Sequence, residues 1–419
     1  MKFACFLPGL LLVPTILFAD ACFDCHVQET PGAVTQWQQS GHATANVGCR
    51  SCHGDDHDKI LQGNAPVVAA ICARCHQQAF AEHSESKHGT ALHTGWGCTR
   101  NLPGRDQGEC RFCHEEGSTL PLTDVMCSRF LKQSSEMGQL GCNRCHMVEN
   151  ACGSCHGNHL TDLAIVRDPA VCAKCHMGPD HPQWEMWQTS QHGTLNRVQG
   201  RSVGPDCQLC HMPKGSHNVS QGITATPAGQ VYPPEKYAAE RAKMITLCRQ
   251  CHAGRFAEAE LAAADAIRDQ SKQLVAEAAE IISELYDRKL LDPMPHDRPA
   301  HPVRQHELVL DGQMLYEDIS HIERLFFTMK KFALAKTYKG AYHQNPAYTH
   351  WLGNAELKML LVDIRAEASR LQERRGHNNA GVTTLEERLT ILQGRFKRGV
   401  ISQQEYSERK AELLRELTQ

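Results

Sequence analysis

Three segments in the C-terminal part of the chain repeat apolar residues every three or four positions, the spacing of an α-helix with one buried face. The stripes consist of Ile267, Leu274, Ile281, Ile282 and Leu285, then of Leu315, Ile319, Ile322, Phe326, Met329 and Phe332, and finally of Leu357, Leu360, Leu361, Ile364 and Leu371. The pattern predicts three core-facing helices within residues 256–375. A proline-rich loop is expected at 292–302, where the first two stripes are separated.

The tail at residues 380–419 has its own helical pattern. It predicts a hairpin with one helix to about Arg398, a turn at Gly399 and a second helix from Ser402. Ser402 and Glu405 have the spacing of a capping box, in which the serine and glutamate side chains each bind the other residue's backbone. The tail resembles the short C-terminal hairpin domain called SHOCT, which implies a role in oligomerisation or docking.

The N-terminus reads as an export signal. Lys2 precedes an apolar run from Phe6 to Phe18, and Ala19 supplies a small residue for cleavage after Ala19 or Ala21. The run is too short for a membrane-spanning helix, so residues 1–19 are predicted to be a signal peptide. We therefore expect a periplasmic or otherwise exported protein that is soluble after cleavage.

Residues 20–255 lack such stripes and instead contain nearly all of the 21 cysteines. Nine pairs follow the pattern C-x-x-C-H: Cys22 and Cys25, Cys49 and Cys52, Cys72 and Cys75, Cys110 and Cys113, Cys142 and Cys145, Cys152 and Cys155, Cys172 and Cys175, Cys207 and Cys210, and Cys248 and Cys251. Zinc sites also use C-x-x-C pairs, but they need no histidine after each pair. Paired cysteines on one turn can form thioethers with the two vinyl groups of one haem, and the next histidine then binds the iron.

This motif density predicts a mainly α fold in which loops and short helices wrap around stacked haems, followed by the long-helix region at 256–375. Aromatic residues make up only 6% of the chain, so the porphyrins themselves are expected to fill the interior of residues 20–255. The formal net charge of −3 argues against nucleic acid as a partner.

Histidines supply the axial ligands. The nine motif histidines are His26, His53, His76, His114, His146, His156, His176, His211 and His252, and the proposed distal ligands are His42, His57, His88, His159, His192 and His217. His83 and His93 are weaker candidates. Small residues beside His42, His88 and His192 would let a haem plane approach the backbone. An iron with two histidines only transfers electrons, whereas an open one binds small ligands, and the histidine count leaves both cases possible.

Specific runs of sequence resemble the hydroxylamine oxidoreductase (HAO) family of octahaem cytochromes. They are CFDCHVQETPGAVTQWQQSGHA at 22–43, CNRCHMVENACGSCHGNHL followed by CAKCHMGPDHPQWEMWQTSQHG between residues 142 and 193, and YKGAYHQNPAYTHWLGNAELK at 338–358. The resemblance covers roughly residues 20–370 and implies a homotrimer. The family has eight haems, so the motif ending at His114 is extra, and eight or nine haems c are expected. Cys98 and Cys127, which flank that motif, form either a disulfide or two free thiols.

The resemblance also implies a catalytic haem at Cys142, Cys145 and His146, with an aspartate and a histidine on its distal face. Asp180, His181 and His192 are the candidates for these two residues, although either histidine could instead bind a neighbouring iron. A histidine held by a carboxylate can carry the protons that accompany electrons in the chemistry of nitrogen oxides.

Oxidative members of the family carry a tyrosine that crosslinks to the catalytic haem. Tyr342 and Tyr348 lie in the corresponding stretch, but Leu352 stands where a tyrosine is expected after Trp351. We therefore expect no crosslink, and reduction of nitrite or hydroxylamine is favoured over oxidation of hydroxylamine or hydrazine. The expected partner is a redox cytochrome or a quinol-oxidising membrane protein. The alternative is a pure electron carrier with every haem bound by two histidines.

Overall fold

The computed structural model describes residues 21–89, 145, 148–224, 232–291, 320–378, 385–397 and 401–415. The predicted signal peptide, the motif at Cys110–His114, Cys98 and Cys127, and the predicted loop at 292–302 lie outside these residues. The described part is helical and contains no β-strand, which confirms the predicted mainly α fold. None of its helices is both long and apolar enough to cross a membrane.

Short helices follow one another in the haem-motif region. They are α1 (Ala21–Glu29), α2 (Pro31–Gln38), α3 (Gly41–Thr44), α4 (Arg50–His53), α5 (His57–Leu61), α6 (Ala69–Cys72), α7 (Gln77–Ser84), α8 (Gly153–His156), α9 (Leu163–Arg167), α10 (Ala170–Ala173), α11 (Gln183–Gln188), α12 (Gln191–Gln199) and α13 (Cys207–His211), with 3₁₀ turns at Val148–Asn150 and Pro213–Gly215. Helices this brief bury little surface, so they need the cofactors to hold them in place.

The helices of the C-terminal part include the longest ones as well as a few short ones. They are α14 (Pro234–Cys248), α15 (Gly254–Asp287), α16 (His321–Thr328), α17 (Leu334–Tyr342), α18 (Pro346–Thr349), α19 (Glu356–Asn378), α20 (Leu385–Lys397) and α21 (Gln403–Arg415), with π-helical turns at Met329–Ala333 and His350–Ala355. The first π-turn joins α16 to α17, and the second joins α18 to α19.

The contacts divide the chain into two compact units. The first contains residues 21–77 and 150–168, and its buried apolar residues are small or few: Val34, Ala43 and Ala69. The second contains the remaining described residues and has a conventional core. That core joins α15, α16, α17 and α19, and the fully buried residues Ile282, Leu285, Phe326, Leu357 and Ile364 come from the apolar stripes seen in the sequence.

The tail forms the predicted hairpin and packs on α15. Ser402 and Glu405 make the capping box, because the Ser402 N–H donates to Glu405 at 2.8 Å and the Glu405 N–H donates to the serine hydroxyl at 3.2 Å. Arg395 donates to Glu280 of α15 at 3.2 Å, and the apolar side chains Leu392 and Ile401 are buried.

The apolar core of the C-terminal helices is expected to be sensitive to single truncations on its buried face. Ile364 is fully buried on α19, whereas Val362 on the same helix is 59% exposed. Ile364→Ala should destabilise the protein by about 2–5 kcal/mol because it removes buried methyl groups and leaves a cavity. Val362→Ala should change stability by less than about 0.5 kcal/mol. Denaturant unfolding followed by circular dichroism measures both, and equal losses would contradict the assigned core.

Candidate haem and active site

Each described C-x-x-C-H motif forms a single helical turn. The N–H of the motif histidine donates to the carbonyl of the first cysteine, at distances between 2.8 and 3.1 Å, in five motifs: those ending at His53, His76, His156, His176 and His252. One turn of helix brings residues three and four apart onto the same side. The two sulfurs and the imidazole can therefore meet the same cofactor.

The second cysteine of the motif is fixed by the same turn. Its backbone N–H also donates to the carbonyl of the first cysteine, at 3.1–3.2 Å, in the same five motifs. The donors are Cys52, Cys75, Cys155, Cys175 and Cys251. The spacing between the two sulfurs is therefore set by the backbone of the turn and does not depend on contacts from elsewhere in the chain.

The motif cysteines differ in exposure. Cys25, Cys75 and Cys251 are exposed. The other described ones are partly buried: Cys22, Cys49, Cys52, Cys72, Cys145, Cys152, Cys155, Cys172, Cys175, Cys207, Cys210 and Cys248. Cys110, Cys113 and Cys142 lie outside the described residues, so haem attachment at these three stays a prediction.

In the first unit, three motif histidines each face a second histidine. The ring centres are 6.2 Å apart for His26 and His57, 6.0 Å for His76 and His42, and 6.2 Å for His53 and His159. His42 is held in place by Thr161, whose hydroxyl lies 3.1 Å from its Nδ1. In each pair one histidine follows a cysteine pair and the other is a distal ligand proposed from the sequence.

In the second unit the same arrangement recurs twice. His176 faces His88 with ring centres 5.9 Å apart, and His252 faces His192 at 6.0 Å. His192 thus lies opposite a motif histidine, the position expected of a ligand to a neighbouring iron and not of a residue on the distal face of the catalytic haem.

These separations fit a haem iron between the rings. A metal–imidazole bond is about 2 Å long and the ring centre lies about 1 Å beyond the nitrogen, so two axial imidazoles have centres about 6 Å apart. The ring-centre distances of all five pairs fall between 5.9 and 6.2 Å. The residues present therefore fit haem c with two histidine ligands.

A repeated serine-capped turn carries three of the distal histidines. Each of these histidines is preceded, two residues earlier, by a serine, and followed by a small residue. The serine hydroxyl accepts the backbone N–H of that small residue at 3.2–3.3 Å, and the three pairs are Ser40 with Ala43, Ser86 with Gly89, and Ser190 with Gly193. A Cβ on Gly193 would lie 2.0 Å from the Trp187 carbonyl oxygen, and one on Gly89 would lie 2.3 Å from that of His83. The glycines are thus required by the tight turn itself, a reason different from the approaching haem plane inferred from the sequence.

Burial keeps these imidazoles neutral. It lowers the pKa of His176 to about 3, with His88 as the next cause, and lowers the pKa of His88 to about 4. The pKa of His211 falls to about 4 through burial and then through the neighbouring His343. Since only a neutral imidazole offers a lone pair to a metal, this environment favours ligation.

His343 is a ligand candidate that the sequence reasoning missed. It follows the last residue of α17, far beyond the haem motifs, and its Nδ1 donates to the Lys339 carbonyl at 2.7 Å. That bond leaves Nε2 with the lone pair, as in most metal-binding histidines. Burial is the main cause that lowers the pKa of His343, as for His211. The sequence could not identify His343 as a ligand, because it lies outside the haem-motif region and has no cysteine pair next to it.

Cysteines of different motifs also come together. Cys172 hydrogen-bonds to Cys207 and is the main cause that raises the pKa of Cys207. Cys152 has its pKa raised to about 11 by burial and by Cys72, and Cys210 to about 12 by burial and by Cys248. No disulfide forms among the described cysteines. The motifs within each unit therefore lie side by side, an arrangement that would bring their haems close together.

Asp180 is the centre of a charged cluster in the second unit. Its carboxylate accepts a hydrogen bond from His181 Nδ1 and forms an ion pair with Lys331 at 2.8 Å, while Lys339 donates to its backbone carbonyl at 3.0 Å. Burial alone would raise the pKa of Asp180, but the His181 hydrogen bond and the Lys331 charge hold it well below its usual range. Lys331, which lies on the first π-turn, was not singled out from the sequence.

The cluster adjoins one pair of haem ligands. The His181 ring lies edge-on to His176, with centres 6.4 Å apart. Its Nε2 has no hydrogen-bond partner among the residues that the structure describes. The arrangement presents one imidazole nitrogen, backed by a carboxylate, for proton transfer.

Other candidate residues lie elsewhere. Cys142 and His146, the proposed catalytic haem site, are outside the described residues, and the backbone N–H of His217 donates to Glu82 at 2.7 Å. The Tyr342 hydroxyl donates to Asp265 and accepts from Arg268 at 2.9 Å, so both of its hydrogen-bonding roles are used within the fold. Leu352 is 41% exposed.

Paired histidines opposite C-x-x-C-H turns define a multihaem c-type cytochrome. A family described as "Seven times multi-haem cytochrome CxxCH" matches residues 45–299, which is more than half of the chain, and the chain belongs to this family. The short C-terminal domain, SHOCT, matches residues 387–414 and confirms the interpretation of the tail.

Two curated relatives match different shares of the chain. The chain is 26% identical to a probable nitrite reductase–hydroxylamine oxidoreductase fusion protein of Kuenenia stuttgartiensis, over 86% of the chain and 53% of the relative. It is 29% identical to the C-type polyheme cytochrome OmcB of Geobacter sulfurreducens over 30% of the chain and 19% of the relative. The chain thus spans about half the length of the fusion protein and less of OmcB.

Solved structures share the fold. A chain of the Kuenenia stuttgartiensis reducing HAO-like protein complex Kustc0457/Kustc0458 matches with a TM-score of 0.66 and 24% identity, over 85% of this chain and 86% of that one. A hypothetical multiheme protein matches with a TM-score of 0.61 and 16% identity, over 85% and 96%. These matches show that the chain shares its fold with a solved HAO-like protein and with a second multihaem protein.

Replacing one distal histidine should open one iron. His57→Ala removes the imidazole that faces His26, so one haem should change from low spin to high spin in the ferric state. Electron paramagnetic resonance measures this as one equivalent of new high-spin signal. His350→Ala is the matched control, because the His350 ring packs on Trp351 and not on a motif histidine. An unchanged His57→Ala spectrum would contradict the assigned pair.

Proposed function

We propose that the protein is a periplasmic multihaem oxidoreductase that reduces nitrite or hydroxylamine. The observation that carries this proposal is the Asp180–His181–Lys331 cluster beside a pair of haem ligands. A pure electron carrier needs the histidine pairs, but it does not need a partly buried carboxylate that orients a histidine outside the assigned pairs.

The histidine pairs would hold haem c as electron-transfer centres. When bound, the haems supply one-electron redox centres, and an iron with an open position also binds small ligands. We assign six axial pairs: His26 with His57, His76 with His42, His53 with His159, His176 with His88, His252 with His192, and His211 with His343. His217 is not among the assigned pairs, and its role as an iron ligand stays a prediction.

Asp180 and His181 would handle protons. The carboxylate fixes the proton of His181 on Nδ1, so Nε2 can accept a proton and pass it to a bound nitrogen oxide. Lys331 keeps Asp180 ionised and thereby keeps His181 oriented. General acid–base catalysis by a positioned histidine contributes about 10²–10⁴ in rate. The catalytic haem itself is proposed at Cys142, Cys145 and His146, on the HAO resemblance.

Two observations support the reductive direction. Leu352 replaces the expected tyrosine, and the Tyr342 hydroxyl is already engaged by Asp265 and Arg268. A neighbour described as a reducing HAO-like complex agrees with this direction, whereas the name of the fusion relative includes both nitrite reductase and hydroxylamine oxidoreductase. On the same resemblance we propose a homotrimer that receives electrons from a cytochrome or a quinol-oxidising membrane protein.

A pure electron-transfer cytochrome is the second candidate, and the five closely similar histidine pairs favour it. Ligand binding distinguishes the two functions. If nitrite and carbon monoxide leave every haem spectrum unchanged, all irons are bound by two protein ligands and the enzymatic proposal fails.

Asp180→Asn should separate proton handling from electron transfer. The change removes the charge that binds Lys331 and weakens the acceptor for His181, so kcat for nitrite or hydroxylamine reduction should fall about 10²–10⁴-fold. Reduction of the haems by dithionite should be unaffected, which absorbance measures directly. Asp363→Asn, on the exposed face of α19, is the control and should retain full turnover. A fully active Asp180→Asn variant would exclude the proposed role.

A further inference from the structure

Arg241 has a buried nitrogen without a hydrogen-bond partner among the residues that the structure describes. This arginine lies on α14, its side chain is only 13% exposed, and its Nη1 atom is buried without an acceptor. Leaving a buried donor of a charged group unpaired is costly, so such an atom in a folded protein calls for an explanation. Nη1 therefore points to an acceptor that the described chain does not supply.

The neighbouring carboxylate holds the guanidinium in place but is already fully used. Nη2 of Arg241 donates to Asp265 Oδ2 and to the Tyr237 hydroxyl, both at 2.5 Å. The Asp265 carboxylate also accepts from Arg268 at 3.1 Å and from the hydroxyls of Tyr237 and Tyr342. A carboxylate offers about four lone-pair positions, and four groups donate to this one. Asp265 therefore fixes Arg241 through Nη2 and has no lone pair left for Nη1.

The same helix carries a haem-binding cysteine. Cys248 is the last residue of α14 and the first cysteine of the motif that ends at His252. Arg241 precedes it by seven residues, which is nearly two helical turns, so both lie on one face of α14, about 10 Å apart along the axis. The charge of Arg241 reaches this thiol, because burial raises the pKa of Cys248 and the guanidinium opposes that rise.

A haem attached at this motif would bring its own carboxylates. The vinyl groups, which form the thioethers with the cysteines, lie on one edge of the macrocycle, and the two propionates lie on the opposite edge. One face of α14 thus carries both the thiol that binds the vinyl edge and a guanidinium nitrogen that lacks an acceptor. A carboxylate suits that nitrogen, because charge-assisted N–H···O bonds from arginine are stronger than neutral ones.

We propose that Arg241 Nη1 binds a propionate of the haem attached at Cys248 and Cys251. α14 then holds this haem at two opposite edges, in addition to the axial pair of His252 and His192. The inference rests on haem attachment at this motif and not on the identity of the substrate.

Infrared spectroscopy of the mature protein tests the contact. Haem made from δ-aminolevulinate whose carboxyl carbon is the heavy stable isotope carries that isotope in its propionates, so their bands separate from those of aspartate and glutamate. In R241Q, the carboxylate band of one propionate per chain should shift, because its charged donor is lost. R241K keeps the charge without the two-pronged donor and should shift the same band.

Arg268 supplies the matched control. It donates to the same Asp265 carboxylate, so R268Q disturbs the cluster by the same substitution and leaves Nη1 of Arg241 in place. R268Q should give the wild-type propionate bands. The inference is overturned if R241Q and R241K match the wild type, or if R268Q moves the band as far as they do. Mass mapping of the Cys248–Cys251 peptide shows whether haem is attached, which separates loss of the contact from loss of the cofactor.

An experimental structure of the mature wild-type protein tests the inference without any substitution. A propionate oxygen of the haem at Cys248 and Cys251 should lie about 3 Å from Arg241 Nη1. A water molecule as the acceptor, or a propionate of the haem at Cys207 and Cys210, would contradict the assignment.

Discussion

The structure depends on one geometric constraint: in five of the described haem-binding turns, the motif histidine meets a second imidazole about 6 Å away. The turn itself is local, since the hydrogen bond from the histidine N–H to the first cysteine carbonyl sets it within five residues. The second imidazole comes from elsewhere in the chain. His53 meets His159, and His176 meets His88, across gaps of roughly 90–110 residues. Cofactor ligation thus supplies the long-range contacts that a short-helix region with few buried apolar residues would otherwise lack.

The C-terminal helices are held together by apolar side chains, in contrast to the haem-motif region. Ile282, Phe326, Leu357 and Ile364 belong to an ordinary apolar core made of side chains. On this support the helix from His321 to Tyr342 directs Lys331 and Lys339 toward Asp180, and His343 follows at its end. The rigid part of the fold therefore holds the polar groups that must keep fixed positions beside the haem ligands.

Much of this arrangement was predictable from the sequence, for physical reasons that differ between elements. Apolar periodicity predicted the core faces of α15 and α19, and C-x-x-C-H predicted the ligand turns, because both signals are local. His42, His88 and His192 were selected from their small neighbours, and each lies opposite a motif histidine. His343, Lys331 and Lys339 were missed because their partners are distant in sequence. The π-turns were missed because apolar residues that repeat every three or four positions look nearly the same whether or not one turn contains an additional residue.

The π-turn at Met329–Ala333 has an architectural consequence. An additional residue in one turn advances the helix by about 100°, so every side chain beyond it is rotated relative to the α-helical continuation. The same rod can therefore pack Phe326 into the core before the turn and orient Lys339 toward a neighbouring segment after it. A chain without the additional residue could close this turn as ordinary α-helix and keep the downstream faces where they are. A deletion elsewhere in the helix has no wide turn to absorb it and would rotate every later side chain by about 100°.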